Sequence, residues 1–193
     1  MLILGSNSPQ RRDLLKQVGI KVDKIAGPNI DENQRAKELP REYVKRISLD
    51  KSNAIKRNDE DFLITADTIV VKGKKIFGKP KDSLEAVCAL KTLSGSRHIV
   101  LTAVCVSLNN VTRIRVVETK VKMKNLSEIE LEDYIKSGEW RGKAGSYAIQ
   151  GRAAVFIPFI SGSYSNVVGL PLTETTNLLQ GMGYKPSLEE QKK

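Results

Sequence analysis

With 193 residues, 40% of them apolar and 28% charged, the chain has the makeup of a soluble globular protein able to bury a core without disulfides, which excludes fibrous, low-complexity and disordered classes. The formal charge of +10 implies attraction to polyanions, whether nucleic acids, anionic membranes or phosphorylated small molecules, and would equally suit a lysine-rich solvated surface. No stretch approaches the ~18 uninterrupted apolar residues of a membrane span, and the start MLILGSNSPQRR lacks the basic region and long apolar core of a signal peptide. Cys88 and Cys105, with no CxxC spacing and no cluster with His98, read as buried thiols of a reducing compartment. The expectation is one cytoplasmic domain over residues 1–193 with no membrane partner.

Leu2 to Leu4 form a short apolar strand that runs into Gly5-Ser6-Asn7-Ser8-Pro9, and Arg11 to Val18 then carries leucines at helical spacing. A strand follows at Val22–Ala26, and the polar segment Gly27 to Glu38 has the composition of a mobile loop. Pro40–Arg57 reads as an amphipathic helix. Phe62–Ala66 reads as an apolar strand ending at Asp67-Thr68, before a second β-branched run, Ile69–Val71. Ile76 to Pro80 adds a strand that stops at the proline, and Asp82 or Ser83 caps a helix to Leu93. Ile99–Leu108 and Val111–Val121 alternate as a hairpin across Asn109-Asn110. Ser127-Glu128-Ile129-Glu130 is a capping box for a helix to Ser137-Gly138. After the glycine-rich link 142–151, a strand at Ala153–Ile160 and a last helix at Leu172–Gln180 complete the chain. Strands alternating with helices, plus a hairpin, predict a mixed α/β sheet with flanking helices.

Several segments carry chemistry as well as structure. Ser6, Ser8 and Arg11, with Arg12 beside it, gather hydroxyls and guanidinium groups at a helix start, which suits phosphate oxygens; a plain helix cap with surface arginines would show the same letters. Asp67, after a buried strand, is a cap or a ligand. Asp31-Glu32 alone would pass for a solvated loop pair. Lys79, between Gly78 and Pro80, is held by stiff backbone, though a chance loop lysine is the plainer alternative. Lys143 to Gly151 spaces glycines as if backbone approaches a ligand, with Gln150 offering donor and acceptor, or else forms a tight crossover. His98 has no triad or metal partners in sequence and reads as structural.

In order, Ser6 to Pro9, Asp31-Glu32, Lys51 with Ala54, Ala66 to Val70, Gly78 to Pro80, Lys143 to Gly151 and Val167 to Pro171 span nearly the whole chain. In this order and spacing the sequence resembles the Maf family of nucleoside triphosphate pyrophosphatases, also linked with septum formation. The resemblance implies a two-lobed α/β fold with a central cleft, similar to inosine triphosphate pyrophosphatases, and commonly a homodimer. It implies cleavage between the α and β phosphates with a divalent cation, Mg²⁺ or Mn²⁺. Carried over, Asp67 is the general base, Glu32 and Asp67 hold the metal, and Lys51, Lys79 and Arg11 face the phosphates. An ionised Asp67 beside a cation and lysines is expected to keep a low pKa.

Within the family, three positions follow base preference. The branch acting on thymidine and uridine triphosphates has Arg, Thr and Gln there; this chain has Gln10, Thr68 and Gln150. Gln10 departs from that pattern, removing a charge and a bidentate donor, and Arg12 is the neighbour available to compensate. The expected substrate is therefore a nucleoside triphosphate, with dTTP or UTP preferred. The rival is a nucleotide- or nucleic-acid-binding regulator of cell division. Nucleic-acid binding calls for aromatics interleaved with basic residues, and the 5% aromatics do not cluster that way. A hydrolase of inosine or xanthosine triphosphates is the second rival.

Overall fold

The computed structural model describes residues 1–185, so 186–193 of the expected domain lie outside the described residues. The chain runs β1 (Leu2–Gly5), α1 (Pro9–Gln17), β2 (Lys24–Ile25), α2 (Pro40–Ala54), β3 (Phe62–Lys72), β4 (Lys75–Phe77), α3 (Ser83–Leu93), β5 (Arg97–Leu108), β6 (Val111–Lys122), α4 (Glu128–Ser137), β7 (Phe159–Ser161), α5 (Tyr164–Val168) and α6 (Leu172–Gly181). The strands form one seven-stranded mixed sheet in the order β2-β1-β3-β5-β6-β7, with β4 also on β3. β2, β1 and β3 are parallel, joined through α1 and α2, and the remaining pairings are antiparallel. The mixed α/β expectation holds. Among the described residues no helix is long and apolar enough to cross a membrane.

Helices cover the sheet in separate apolar clusters. Leu14 and Leu15 of α1 and Leu178 and Leu179 of α6 pack with Leu2, Leu4, Ile64 and Val104. A second core joins Leu90 and Leu93 of α3 and Tyr134 of α4 to Met123, Trp140, Tyr147 and Phe156. On α3 the buried residues are Ala86, Ala89, Leu90 and Leu93, at helical spacing. Cys88 therefore falls on the opposite face and is exposed, contrary to expectation, while Cys105 is buried.

Several elements differ from their sequence reading: β2 is only Lys24–Ile25, α2 stops at Ala54 short of Arg57, and α5 was not expected. β3 does not end at Asp67: it runs unbroken for 11 residues, because β5 pairs with it throughout, Asp67 opposite Ala103 and Thr68 opposite Thr102. The segment read as a strand at Ala153–Ile160 is a 3₁₀ turn, Arg152–Phe156, followed by the short β7. Ala153 and Phe156 are its buried residues, a spacing of three that suits a 3₁₀ turn and not an alternating strand. Pro158 lacks the N–H that a longer ladder would need.

Candidate active site

The sheet itself opens the site. On one edge of β3, β1 pairs as far as Gly5 with Thr65, and β4 takes over only at Val70 with Phe77. Between these pairings Asp67 and Thr68 have no strand neighbour on that side, and a cavity of about 480 Å³ occupies the gap, a size in the ordinary range for small-molecule sites. One wall is the turn from β1 into α1, and the other is the glycine-rich link after α4. Each of the ten candidate residues, Ser6, Ser8, Gln10, Arg11, Glu32, Lys51, Asp67, Thr68, Lys79 and Gln150, lines it.

On the floor, Lys51 Nζ lies 2.7 Å from Asp67 Oδ1 and 2.9 Å from Glu32 Oε1. Lys51 and Asp67 are only 6% and 7% exposed. Burial pushes the Asp67 carboxyl above the usual carboxylate range, against the opposing pull of Lys51 and Arg11; the low pKa expected for it belongs to a site that also holds a cation. The sequence shows the neighbouring lysine but not the loss of water around the pair.

Glu32 reaches this floor from the irregular segment between β2 and α2, which is pinned and not merely loose. Arg46 of α2 holds Glu38 through both carboxylate oxygens, Nε to Oε1 at 2.6 Å and Nη2 to Oε2 at 2.8 Å. Its Nη2 also donates to the Asn33 carbonyl at 3.0 Å, and Tyr43 Oη donates to the Glu32 carbonyl at 2.7 Å. Such bidentate, charge-assisted contacts fix a loop far better than single surface pairs.

Arg11 enters the cavity from the first turn of α1, where Pro9 starts the helix. Its Nε donates to the Gly169 carbonyl at 2.8 Å, Nη1 to Ser6 Oγ at 3.0 Å and Nη2 to Thr68 Oγ1 at 3.1 Å. Burial lowers its pKa from the usual arginine value, with Asp67 and Glu32 acting the other way. Three of the five guanidinium donors are thus committed to the protein, and the residue clasps both ends of the cavity wall. Arg12, the proposed substitute for a missing charge, is exposed, lies 3.8 Å from Asp13 and is not among the lining residues.

Behind Thr68, hydroxyls form a chain into the protein. Thr68 Oγ1 lies 3.0 Å from Thr102 Oγ1, which donates to the Asn166 carbonyl at 3.0 Å. Buried Asn166 donates through Nδ2 to the Val100 carbonyl and to Thr119 Oγ1. Thr68 is therefore held from behind. Gln10 is held too: Ser8 Oγ donates to its Oε1 at 3.0 Å, so its amide N–H groups are the ones left for the cavity. The substitution removes the charge expected at this position but keeps a donor there.

The opposite wall adds Arg141, to which the sequence assigned no role, and Lys143, which the sequence placed only as the start of the glycine-rich segment. Arg141 and Lys143 line the cavity beside Gly142, Ala144 and Tyr147. The Gly145 N–H donates to the Gly78 carbonyl at 3.1 Å, which ties this link to the Lys79 turn. Gly145 needs its missing side chain: its φ is +68°, and a Cβ would lie 2.6 Å from Val70 Cγ2. The signal for Arg141 and Lys143 was a pair of basic residues flanking a glycine, which a solvated turn also shows. His98 is structural, as expected, with Nε2 2.8 Å from Tyr147 Oη.

Comparison with known proteins adds the family. A model of the Maf-like protein family matches residues 1–182. The dTTP/UTP pyrophosphatase of Cereibacter sphaeroides is 52% identical over 182 residues, covering 94% of this chain and 95% of the relative. Proteins of the same name from Roseobacter denitrificans and Caulobacter vibrioides are 49% and 46% identical, covering 96% of this chain in each case and 98% and 97% of the relatives.

Proposed function

This chain belongs to the Maf-like protein family, and from that premise we propose that it hydrolyses nucleoside triphosphates to a nucleoside monophosphate and pyrophosphate, with dTTP and UTP as preferred substrates. The observation that carries the reading is the buried Lys51 joined to both Asp67 and Glu32 on the floor of a cavity lined by five cationic side chains and two carboxylates. Phosphoryl transfer needs an oriented water and compensation of the triphosphate charge more than it needs covalent chemistry. That the relatives are dTTP/UTP pyrophosphatases supports the base preference.

In this reading Asp67 aligns a water against the α-phosphorus and takes its proton. The new P–O bond forms as the bond from that phosphorus to the α–β bridging oxygen breaks, and pyrophosphate leaves. Burial raises the Asp67 pKa while Lys51 and Arg11 draw it down, so the carboxylate combines basicity with a lysine that holds it in line with the water. Lys51 keeps the carboxylate ionised and aimed, and has a third N–H for a phosphate oxygen. Lys79 faces the same cavity. Gln10, which lines the cavity with its Oε1 already taken by Ser8, has amide N–H groups to offer a base that presents carbonyl oxygens, as uracil and thymine do.

A divalent cation such as Mg²⁺ or Mn²⁺ fits the donors. Glu32 and Asp67 supply hard oxygens that meet at one ammonium, and among the described residues no group of three or more His, Cys, Asp or Glu could hold a metal. Two carboxylates with substrate phosphates and water as further ligands is a common Mg²⁺ arrangement. When bound, the ion would offset phosphate charge and polarise the reacting group. The family resemblance further supports a cytoplasmic homodimer.

A panel of purified triphosphates assayed for pyrophosphate, with and without chelator, tests the reading. We expect dTTP and UTP to turn over fastest and chelator to abolish the activity. Equal turnover of dTTP, UTP and GTP would remove the pyrimidine preference, and pyrophosphate from none of them would remove the activity.

A further inference from the structure

The cations of the cavity fall into two groups. Lys51 is matched by two carboxylates, and Arg11 is held by neutral oxygens of the protein. Lys79, Arg141 and Lys143 are different. They share the wall opposite α1, and among the described residues none of them takes part in an ion pair. Cations brought together in one wall without carboxylates repel one another, an arrangement that a bound anion relieves.

Arg141 is also pre-positioned. Trp140 is 5% exposed and fixed by its Nε1, which donates to the Ile135 carbonyl at 3.0 Å. The Arg141 guanidinium lies over this indole, 4.9 Å from the ring centre, while its backbone N–H donates to the Gly138 carbonyl. The charge is parked on an aromatic face at the rim of the cavity, a contact weak enough at an exposed site to be exchanged for a phosphate.

We propose that Arg141, with Lys143 beside it, is a substrate-binding residue that leaves the Trp140 ring to grip the terminal phosphates, those that depart as pyrophosphate. The proposal rests on the triphosphate reading given above. It assigns a separate task to each wall: the floor holds the reacting phosphorus and the water, and the Arg141 wall holds the leaving group. Arg141 binds phosphate in the ground state and the transition state alike, so its loss raises KM more than it lowers kcat.

Trp140 is the single tryptophan of the chain, so its emission reports the exchange directly. Inorganic tripolyphosphate, which has no base or sugar, is titrated into wild type, R141Q and R141K, and the KM for dTTP is measured for all three. Arg141 is exposed, so neither change disturbs the core. We expect tripolyphosphate to change the emission of wild type and not of R141Q, and R141Q to raise KM about tenfold, with R141K between the two. An unchanged KM in R141Q, or a wild-type emission that responds to thymidine and not to tripolyphosphate, overturns the proposal and leaves the pyrophosphatase reading intact. A wild type that hydrolyses no triphosphate yet shows the Arg141-dependent response to tripolyphosphate overturns that reading and upholds the phosphate grip.

Discussion

Asp67 is held in a state that serves chemistry better than stability. Its carboxylate is buried, and the raised pKa means that the folded chain holds the charged form less comfortably than water does. Asp67→Asn removes the base and the buried charge, and Lys51 keeps Glu32 at 2.9 Å. We expect kcat to fall by roughly 10²–10⁴-fold with a melting temperature at or above that of wild type; a variant that keeps its turnover would remove Asp67 from the role of base. His98 gives a prediction of the opposite kind. Burial, and then Lys72, push its pKa down to about 4, below the ~6.5 of an unfolded histidine. The unfolded state binds the extra proton between these values, so stability is full above pH ~6.5 and declines as pH falls toward ~4, by about 3 kcal/mol in all. His98→Gln should flatten that slope in urea melts compared between about pH 7 and about pH 5. At this scale residue type and strand position alone marked Asp67 as a cap or a ligand, whereas Lys51 and Lys79 came to the phosphate site through the family resemblance, and all three line the cavity. It was silent on the partners of Arg11, since Gly169 and Thr68 reach it only in the folded chain.

Among the elements, the glycine-rich link between α4 and β7 holds the balance between strain and function. Gly145 and Ser146 both have positive φ, +68° and +65°, and the Ser146 hydroxyl is buried with no partner among the described residues. Ser146→Gly removes the side-chain strain and the orphan hydroxyl together, and should raise stability by about 1 kcal/mol. Gly145→Ala does the reverse, placing a methyl 2.6 Å from Val70 Cγ2, and should lower stability by about 1–3 kcal/mol while displacing Lys143 from the cavity. Chemical denaturation of the two variants side by side checks the opposite signs; a Gly145→Ala protein as stable as wild type would show that the link is not tight. Most elements were legible because period and caps agree, as in α4, where the Ser127 capping box is present as read. The exceptions have separate causes. β3 continues through Asp67 because β5 supplies hydrogen bonds from far along the chain, and the 3₁₀ turn at Arg152–Phe156 was hidden in an apolar run whose letters fit either period.

For the whole molecule, net charge and cavity charge act in the same direction. The chain carries +10, and the cavity lining has five cations against two carboxylates, while the proposed substrate is a polyanion. Composition gave the sign of this field, but not its focus: the walls come from segments as distant as Ser6 and Gln150, joined only by the strand order of the sheet. Field lines gathered in a low-dielectric cleft steer an anionic substrate from solution. Raising salt from about 0.01 M to about 0.15 M shortens the screening length from about 30 Å to about 8 Å, so capture from a distance is lost while contacts inside the cavity persist. We therefore expect kcat/KM for dTTP to fall about tenfold over that range, with kcat at saturating substrate changing far less. Steady-state kinetics at constant free metal concentration separate the two. A kcat/KM that stays flat would mean that the basic surface is solvated bulk and that the cavity binds its substrate by short-range contacts alone.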